Sequence, residues 1–300
     1  MTDIIIIGAG CAGLTAAIYA QRAGLHTILL EENFYGGQIA VTNEIENYPA
    51  IPSITGPELA QQIYAQAESL GAQFRFEAVT QAELAGNPKI VETNAGRYEA
   101  KTVIIANGAK RRKLGCPGEA ELTGRGVSYC ATCDGAFFRG KDVAIVGGGN
   151  TALEDALFLS NVCRTVFLIH RRDAFRGERA LANRVRQREN IQILYDSTVS
   201  EIRGEARVTS AVIQNIKTGG QQELPVSAVF VAIGLIPENG IFSRQLPLDE
   251  NGYFIAGEDC KTPLAGVFVA GDCRAKPLRQ IITAAADGAV AGYQAAAYIG

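Results

Sequence analysis

Two closely spaced cysteines are the residues in this sequence whose types and spacing most directly suggest chemistry. Cys130 and Cys133 are separated only by the small residues Ala131 and Thr132. Small intervening residues suit a closed disulfide, and the proximity of two sulfurs tends to lower the pKa of one thiol. The spacing therefore predicts a dithiol that is alternately oxidised and reduced.

A Cys-X-X-Cys pair can also be half of a zinc site, or it can be a coincidence. Four zinc ligands would require a second pair, which is absent, and the only histidines, His26 and His170, lie in predicted strands. We therefore predict no metal site. The other cysteines are isolated, and in a reducing cytoplasm they are expected to be small buried hydrophobes. They are Cys11, Cys116, Cys163, Cys260 and Cys273.

Asp134 directly follows the second cysteine and is the best local candidate for a general acid. No free histidine lies nearby in the sequence, so the carboxyl group would have to supply the proton. It could do so if burial raised its pKa. The alternative is that Asp134 only caps a helix or forms a turn.

Two segments that repeat each other predict the elements around the dithiol. Residues 3–17 and 142–156 each indicate a buried strand, a glycine turn and an alanine-rich helix. The first repeat is followed by an apolar strand at 26–30 and later by an apolar run at 102–108 that ends in glycine. The second repeat is followed in the same way by a strand at 165–169 and a run at 228–234. Apolar strands that alternate with helices predict parallel sheets covered on both faces. The predicted class is α/β, with two Rossmann-like, three-layer dinucleotide-binding domains.

The second of these domains is expected to be inserted into the first. A late strand at 266–271 and a last alanine-rich helix at about 278–299 are predicted to complete the first domain. The predicted boundaries are 1–111 and 236–300 for the first domain. The second domain, 112–235, carries the dithiol.

The first glycine turn has the sequence context of a dinucleotide site. Gly8, Gly10 and Gly13 follow a strand and open a helix. The first glycine permits the tight turn, the second lets the backbone approach a pyrophosphate, and the third brings helix against strand. Glu31 ends the next strand, where its carboxylate can accept hydrogen bonds from ribose hydroxyls. The alternative is an ordinary strand-helix turn.

The second turn contains Gly147, Gly149 and Ala152. It differs from the first turn at the position that distinguishes NADP from NAD. No acid matches Glu31, and the following strand ends instead in a basic run of His170, Arg171, Arg172 and Arg176. A carboxylate would repel a 2′-phosphate, whereas guanidinium groups bind phosphate through charge-assisted hydrogen bonds. The run therefore predicts NADP rather than NAD, and the alternative is a solvated, basic start of a helix.

Two dinucleotide sites beside a dithiol predict an electron relay. Nicotinamide delivers electrons as hydride, whereas disulfide exchange proceeds through thiolate attack, so a flavin is needed between them. FAD is the expected occupant of the first site, although composition alone would not distinguish it from a second NAD. The net charge of −3 and the lack of polybasic or membrane-length apolar runs exclude nucleic acid and membranes as expected partners.

Further motifs follow one another along the chain in a specific order. They are Gly8-Ala-Gly10-Cys-Ala-Gly13, Gly36-Gly37-Gln38, Glu46-Asn47-Tyr48-Pro49, Cys130-Ala-Thr-Cys133-Asp134-Gly135, Gly147-Gly-Gly-Asn-Thr-Ala152, His170-Arg171-Arg172 with Arg176, and Gly271-Asp272 with Arg279-Gln280. In this order the chain closely resembles the low-molecular-weight thioredoxin reductases of bacteria, over essentially its whole length.

The resemblance implies a set of residues for each cofactor. For FAD these are Gly8, Gly10, Gly13, Glu31, Gly36, Gly37, Gln38, Asn47, Ala106, Asp272, Arg279, Gln280 and Ile281. For NADPH they are Gly147, Gly149, Asn150, Thr151, Ala152, His170, Arg171, Arg172 and Arg176. Of the FAD set, Asp272 is expected at the ribityl chain, and Arg279, Gln280 and Ile281 at the isoalloxazine ring.

The resemblance also implies the direction of electron flow. Cys133 would face the flavin, Cys130 would attack the disulfide of thioredoxin, and Asp134 would be the acid. Members of the family are homodimers that rotate the NADPH domain relative to the FAD domain, and the hinge is expected near 110–114 and 234–237. Phe137 and Phe138 are candidates for docking thioredoxin, with ordinary core packing as the alternative.

Two positions depart from the family pattern. Cys11 stands where proline is common, and Asn107 replaces the usual threonine of an Ala-Thr-Gly segment, where it could alter hydrogen bonding to the flavin. The expected activity is NADPH-dependent reduction of thioredoxin. Alternatives are a related flavoprotein that serves another redoxin or a small-molecule dithiol, including an oxidase that passes electrons to oxygen.

Overall fold

The structure is a computed structural model that describes residues 1–42 and 45–300. The chain divides into two compact units, Met1–Lys110 with Ile236–Gly300, and Arg111–Leu235. The strands are β1 Thr2–Ile7, β2 Thr27–Glu31, β3 Gln73–Phe76, β4 Val79–Glu83, β5 Lys89–Thr93, β6 Arg97–Ile105, β7 Ala109–Arg111, β8 Val127–Ser128, β9 Asp142–Val146, β10 Thr165–Ile169, β11 Ile191–Leu194, β12 Ser197–Gly204, β13 Val208–Asn215, β14 Gln221–Pro225, β15 Ala228–Val231, β16 Leu235–Pro237 and β17 Val267–Val269. The helices are α1 Cys11–Arg22, α2 Gly56–Ser69, α3 Ala131–Asp134, α4 Asn150–Ser160, α5 Arg179–Arg186 and α6 Ile281–Ile299.

The first unit is built on a seven-stranded sheet with strand order β3-β2-β1-β6-β5-β4, in which β17 also pairs with β6. Strand β6 pairs in parallel with β1 along one edge and has two different partners along the other. Residues 97–100 pair antiparallel with β5, and residues 103–105 pair parallel with β17. Ile4, Ile5 and Ile6 of β1 have no exposed surface, as expected for a strand covered on both faces.

Close packing of α1 against α6 brings the start of α6 to the first glycine turn. A Cβ atom on Gly288 would lie 2.2 Å from the carbonyl oxygen of Ala12, and one on Gly292 would lie 2.7 Å from that of Ala16. Glycine at these positions of α6 therefore lets the two helix backbones approach each other. The contact fixes where α6 begins relative to the turn that precedes α1.

The second unit has a parallel sheet of strand order β11-β10-β9-β15-β8 and a separate antiparallel sheet of β12, β13 and β14. The segments in which the chain passes from one unit to the other, β7 and β16, pair with each other. The predicted α/β class, with a strand-turn-helix unit of Rossmann type in each part, is confirmed. The antiparallel sheet is an addition to the predicted parallel sheets.

Candidate active site

The first glycine turn is shaped by close packing on two sides and is open on the third. Gly8 adopts a φ of +102°, and a Cβ atom there would lie 2.4 Å from the carbonyl oxygen of Ala106. A Cβ on Gly13 would lie 1.9 Å from the carbonyl oxygen of Gly8. A Cβ on Gly10, by contrast, would meet no atom of the described residues within 4 Å. The turn thus leaves room at the glycine where a pyrophosphate is expected to approach.

The loop after β2 closes one side of this turn. The backbone N–H of Gly36 donates to the carbonyl oxygen of Ala9 at 2.8 Å, and a Cβ on Gly37 would lie 3.3 Å from the Cα atom of Gly10. Glu31 Oε2 accepts a hydrogen bond from the N–H of Ala9 at 2.9 Å. Glu31 therefore stands beside the turn, as predicted, and Gln38 follows in a short 3-10 helix, Gly37–Ile39.

Residues predicted to surround the flavin meet at the start of α6. Asn47 Nδ2 donates to Gln280 Oε1 at 3.0 Å, and the Cys11 thiol donates to the carbonyl oxygen of Ile281 at 3.5 Å. Arg279 Nε donates to the carbonyl oxygen of Asp272 at 3.4 Å. The first unit therefore brings together the ribityl and ring contacts predicted for FAD. Cys11, the departure from proline, links the first turn of α1 to the start of α6.

A buried ion cluster that the sequence analysis missed supports the Asp272 turn. Both carboxylate oxygens of Asp287 bind Arg274, each at 2.7 Å, and Oδ2 also accepts hydrogen bonds from Lys276 at 2.8 Å and from the N–H of Gly271 at 2.9 Å. Burial raises the pKa of Asp287, but these hydrogen bonds outweigh it and hold the pKa below its usual value. The cluster ties α6 to the residue before Asp272. The only sequence signal is an aspartate within an otherwise apolar helix.

The second glycine turn repeats the geometry of the first. A Cβ on Gly147 would lie 2.4 Å from the carbonyl oxygen of Ala232 and 2.5 Å from Cβ of Ala152. Gly149 again faces space that is open within 4 Å among the described residues. Asn150 is held by Glu178, whose N–H donates to Asn150 Oδ1 at 2.7 Å, and Thr151 is exposed beside it. This turn also fits the approach of a dinucleotide.

His170 is placed differently from the arginines that follow it. Its ring is buried, binds the carbonyl oxygen of Ala174 at 3.0 Å, and lies 2.2 Å from the place of a Cβ on Gly148. Burial lowers its pKa, and the nearby arginines lower it further. The ring therefore supports the glycine turn from behind, and direct contact with NADPH stays a prediction.

Arg171, Arg172 and Arg176 are exposed at the end of β10. Within residues 1–42 and 45–300, no carboxylate forms an ion pair with any of them. The N–H of Arg176 donates to the carbonyl oxygen of Gly148 at 2.8 Å, which ties this segment to the glycine turn. The arrangement places three exposed cations in the segment that adjoins the second glycine turn.

The dithiol is a disulfide at the start of the short helix α3. Cys130 and Cys133 are bonded, with their Cα atoms 5.3 Å apart. The N–H of Cys130 donates to Ser128 Oγ at 3.1 Å, and that hydroxyl donates to Asp134 Oδ2 at 2.5 Å. One serine therefore connects the first cysteine of the pair to the predicted acid.

Asp134 lies in an environment that raises the pKa of its carboxyl group above the usual value for aspartate. Burial raises the pKa of its carboxyl group, and the hydrogen bond from Ser128 and the charge of Arg111 lower it only in part. Asp134 is also the last residue of α3. Asp134 can therefore act as the predicted general acid and also end the helix α3.

The remaining thiols contrast with this pair. Cys116 is partly exposed and the other four isolated cysteines are buried. Burial raises their pKa values, to about 11 for Cys11, Cys116 and Cys163 and to about 12 for Cys260 and Cys273. Because the thiolate is the nucleophile, such thiols are unreactive near neutral pH.

Glu119, a residue that the sequence analysis missed, fixes the segment just after the chain passes from the first unit into the second. Glu119 is buried and accepts hydrogen bonds from the N–H groups of Leu114 and Gly115, at 2.8 and 2.7 Å, and from the hydroxyl of Tyr129 at 2.8 Å. Burial, and then the bond to Glu119, raise the pKa of Tyr129 to about 12. The carboxylate therefore anchors Leu114, the last residue of the predicted hinge at 110–114, and Gly115 to the residue before Cys130.

The chain combines two strand-glycine turn-helix segments with one Cys-X-X-Cys disulfide. Known proteins share this combination. A family model described as pyridine nucleotide-disulphide oxidoreductase matches residues 2–288. The chain belongs to this family. The Cys130–Cys133 disulfide and the two glycine turns are the features of this chain that agree with the family description.

Relatives within the pyridine nucleotide-disulphide oxidoreductases match along almost the whole chain. A protein named thioredoxin reductase from Treponema pallidum is 44% identical over 99% of this chain and 97% of its own length. One of the same name from Bacillus subtilis is 41% identical over 99% and 94%. The crystal structure of thioredoxin reductase from Streptococcus pyogenes is 43% identical, with a TM-score of 0.95 over 100% of this chain and 98% of that one. The resemblance inferred from the motifs is confirmed.

Proposed function

We propose that this protein is an NADPH-dependent thioredoxin reductase that passes electrons through FAD and the Cys130–Cys133 disulfide to the disulfide of thioredoxin. The observation that carries the proposal is this disulfide, which lies in the same unit as the unpaired arginine cluster. The relatives named thioredoxin reductase, at 41–44% identity over 99% of the chain, support it.

The two units divide the cofactors between them. The first unit is the FAD-binding domain, in which Gly8 to Gly13 would hold the pyrophosphate and Asp272 and Arg279 the flavin part. The second is the NADPH-binding domain, in which Arg171, Arg172 and Arg176 would hold the 2′-phosphate. Bound FAD supplies the conversion of a hydride into an electron pair that a disulfide can accept. The open space at Gly10 and Gly149 supports this assignment.

The cysteines then exchange one disulfide for another. Two electrons break the Cys130–Cys133 bond, and two protons complete the dithiol. Cys130, as a thiolate, attacks one sulfur of thioredoxin and forms a mixed disulfide, and the leaving thiolate of thioredoxin takes up a proton. Cys133 attacks Cys130, restores the Cys130–Cys133 bond and releases the second thiol. Asp134 holds the proton that this exchange requires.

Docking, assembly and location extend the proposal. Phe137 is 41% exposed, whereas Phe138 packs edge-on against Phe230 at 5.8 Å, so Phe137 is the residue proposed to contact thioredoxin. We also propose, from the family resemblance, that the protein is a homodimer. No described helix combines the length and apolar character that a bilayer crossing requires. The isolated thiols and the redox pair are consistent with the cytoplasmic location that we propose.

An anaerobic assay tests the function. The protein, loaded with FAD, is mixed with NADPH and oxidised thioredoxin, and both NADPH oxidation and new thiols are counted. The expected result is one dithiol formed per NADPH oxidised. No turnover under these conditions, combined with rapid oxygen consumption on a small dithiol, would contradict the proposal and indicate an oxidase.

Asp134→Asn is expected to slow thioredoxin reduction by about 10²-fold or more, because the amide cannot donate the proton. Since the pKa of Asp134 is raised, its acid form persists to higher pH than in an ordinary aspartate, and the rate falls as pH rises through that pKa. The measurement is the pH dependence of the thioredoxin-reducing rate.

Ser128→Ala is the matched variant. It removes the hydrogen bond that lowers the pKa of Asp134, so the fall in rate should move to higher pH, while the Asp134→Asn enzyme should lack this fall. An unchanged pH profile in both variants would show that Asp134 serves only as a turn residue.

Arg171→Gln and Arg172→Gln are each expected to raise the KM for NADPH by about tenfold or more, and to leave the KM for NADH nearly unchanged. Only NADPH carries the 2′-phosphate that a guanidinium binds through charge-assisted hydrogen bonds. Arg188→Gln, an exposed arginine of the same unit, is the control for lost charge. An equal rise for both nucleotides would remove the phosphate assignment.

A further inference from the structure

One acidic residue interrupts the basic run to which we assign the 2′-phosphate of NADPH. Asp173 directly follows Arg172 and lies three residues before Arg176. A carboxylate beside a phosphate repels it and competes with it for the same guanidinium groups. The charge of Asp173 therefore opposes the role of the arginines around it, unless another group compensates this charge.

The compensating cation comes from a different part of the second unit. Lys217 lies between β13 and β14, at the tip of the hairpin that these strands form, and its Nζ atom is 3.8 Å from Oδ2 of Asp173. Among the described residues, no arginine forms an ion pair with Asp173. The aspartate thus pairs with a distant lysine and not with the arginines beside it in the sequence.

A second aspartate holds the ammonium group of Lys217 in place. Oδ2 of Asp196 lies 2.9 Å from Nζ of Lys217, and the side chain of Asp196 is only 19% exposed. The hydrogen bond to Asp196 raises the pKa of Lys217, and the charges of Asp196 and Asp173 raise it further. Lys217 is therefore a fixed positive charge at neutral pH.

The backbone of Asp196 joins the hairpin to the basic run. Its φ of +49° lies in the left-handed region, which aspartate tolerates better than most residues. Its N–H donates to the carbonyl oxygen of Arg172 at 3.1 Å, and its carbonyl oxygen accepts from the N–H of Ile216 at 2.7 Å. Asn215 Oδ1 in turn accepts from the N–H of Lys217 at 3.0 Å. Backbone hydrogen bonds therefore set the position of Lys217 relative to the run.

We propose that Lys217 is a specificity-determining residue for NADPH, because it neutralises Asp173 and leaves the arginines of the basic run available to the 2′-phosphate. The inference rests on the proposed binding of NADPH to the second unit. NADH has no phosphate at this place, so the lysine gives it no advantage. Lys217 acts through Asp173 and not by contact with the nucleotide.

The test is calorimetric titration with adenosine 2′,5′-bisphosphate, compared with AMP, which lacks the 2′-phosphate. Lys217→Gln should weaken binding of the bisphosphate about three- to fivefold and leave AMP unchanged, a small effect because exposed charges interact weakly. The loss should vanish in about 1 M salt, which screens such charges. Lys217→Arg, which keeps the charge, should bind like the unaltered protein.

Lys141→Gln is the matched control. Lys141 is also exposed, but it precedes β9, whereas the second glycine turn follows the other end of that strand. A strand of this length separates the two ends by more than a Debye length at physiological salt. Lys141→Gln should therefore bind both nucleotides like the unaltered protein. Thermal unfolding checks that every variant folds.

A double variant separates neutralisation of Asp173 from direct contact with the phosphate. Asp173→Asn combined with Lys217→Gln removes both charges of the pair, so most of the affinity lost in Lys217→Gln should return. A double variant that binds the bisphosphate as weakly as Lys217→Gln would overturn the inference, and so would a Lys217→Gln protein with unchanged affinity. If the unaltered protein binds the bisphosphate no more tightly than AMP, the proposed use of NADPH itself fails.

Discussion

Cys133→Ser and Cys130→Ser are each expected to abolish thioredoxin reduction and to leave the oxidation of one NADPH per bound FAD intact. Each substitution removes one sulfur of the only disulfide among the described residues, so electrons can enter the protein but cannot leave it. A loss of at least about 10³-fold is expected, because a serine hydroxyl cannot take part in thiol-disulfide exchange. The measurements are a thioredoxin-coupled assay and anaerobic bleaching of the flavin by NADPH.

The two cysteine variants also differ from each other in a way that tests direction. With Cys130 as the attacking sulfur, Cys133→Ser should trap a mixed disulfide with thioredoxin, which a non-reducing gel detects. Cys130→Ser should trap none. Cys163→Ser, a buried isolated thiol of the same unit, is the control and should retain full activity. Trapping by Cys130→Ser instead would reverse the assigned roles.

Asp287→Asn is expected to destabilise the first unit by about 3–5 kcal/mol and to release FAD. The substitution removes the charge that compensates Arg274 and Lys276, whose side chains are 2% and 4% exposed, and breaking a buried pair leaves the partner charge unpaired. It also weakens the contact with the N–H of Gly271, next to Asp272. Chemical unfolding and retention of FAD on a desalting column measure the two effects.

Glu258→Gln is the matched control, because Glu258 contacts the same guanidinium of Arg274 at 3.3 Å but is 90% exposed. An exposed pair contributes only about 0–1 kcal/mol, so little change is expected. The pKa of Asp287 is lower in the folded protein than the unfolded value of about 3.9, so its stabilisation is present above about pH 4 and is lost as pH falls through the folded pKa. The difference between Asp287→Asn and the unaltered protein should therefore shrink in acid. Equal effects of both variants would contradict this account.

Local patterns predicted the elements that carry the chemistry, and they missed contacts between distant residues. The glycine turns and the dithiol were recognised because their residues are neighbours in the sequence. For β6, the apolar run at 102–108 revealed only the half that pairs in parallel, while the polar start at Arg97 pairs with β5 and has no such signal. Arg274 and Asp287 are 13 positions apart in the sequence, and Asn107 and Asn239 are 132 positions apart. Only folding shows that these groups meet.

The interrupted sequence of the first unit has a consequence for biosynthesis. Arg111–Leu235 is one continuous stretch, so a ribosome finishes the dithiol-bearing unit before β17 and α6 of the other unit exist. Until α6 emerges, α1 lacks the helix that packs against Ala12 and Ala16. Because domains fold as units during synthesis, the nascent chain carries a complete redox pair while its flavin site is still unfinished. That exposed helix is the surface that a chaperone would have to protect until translation ends.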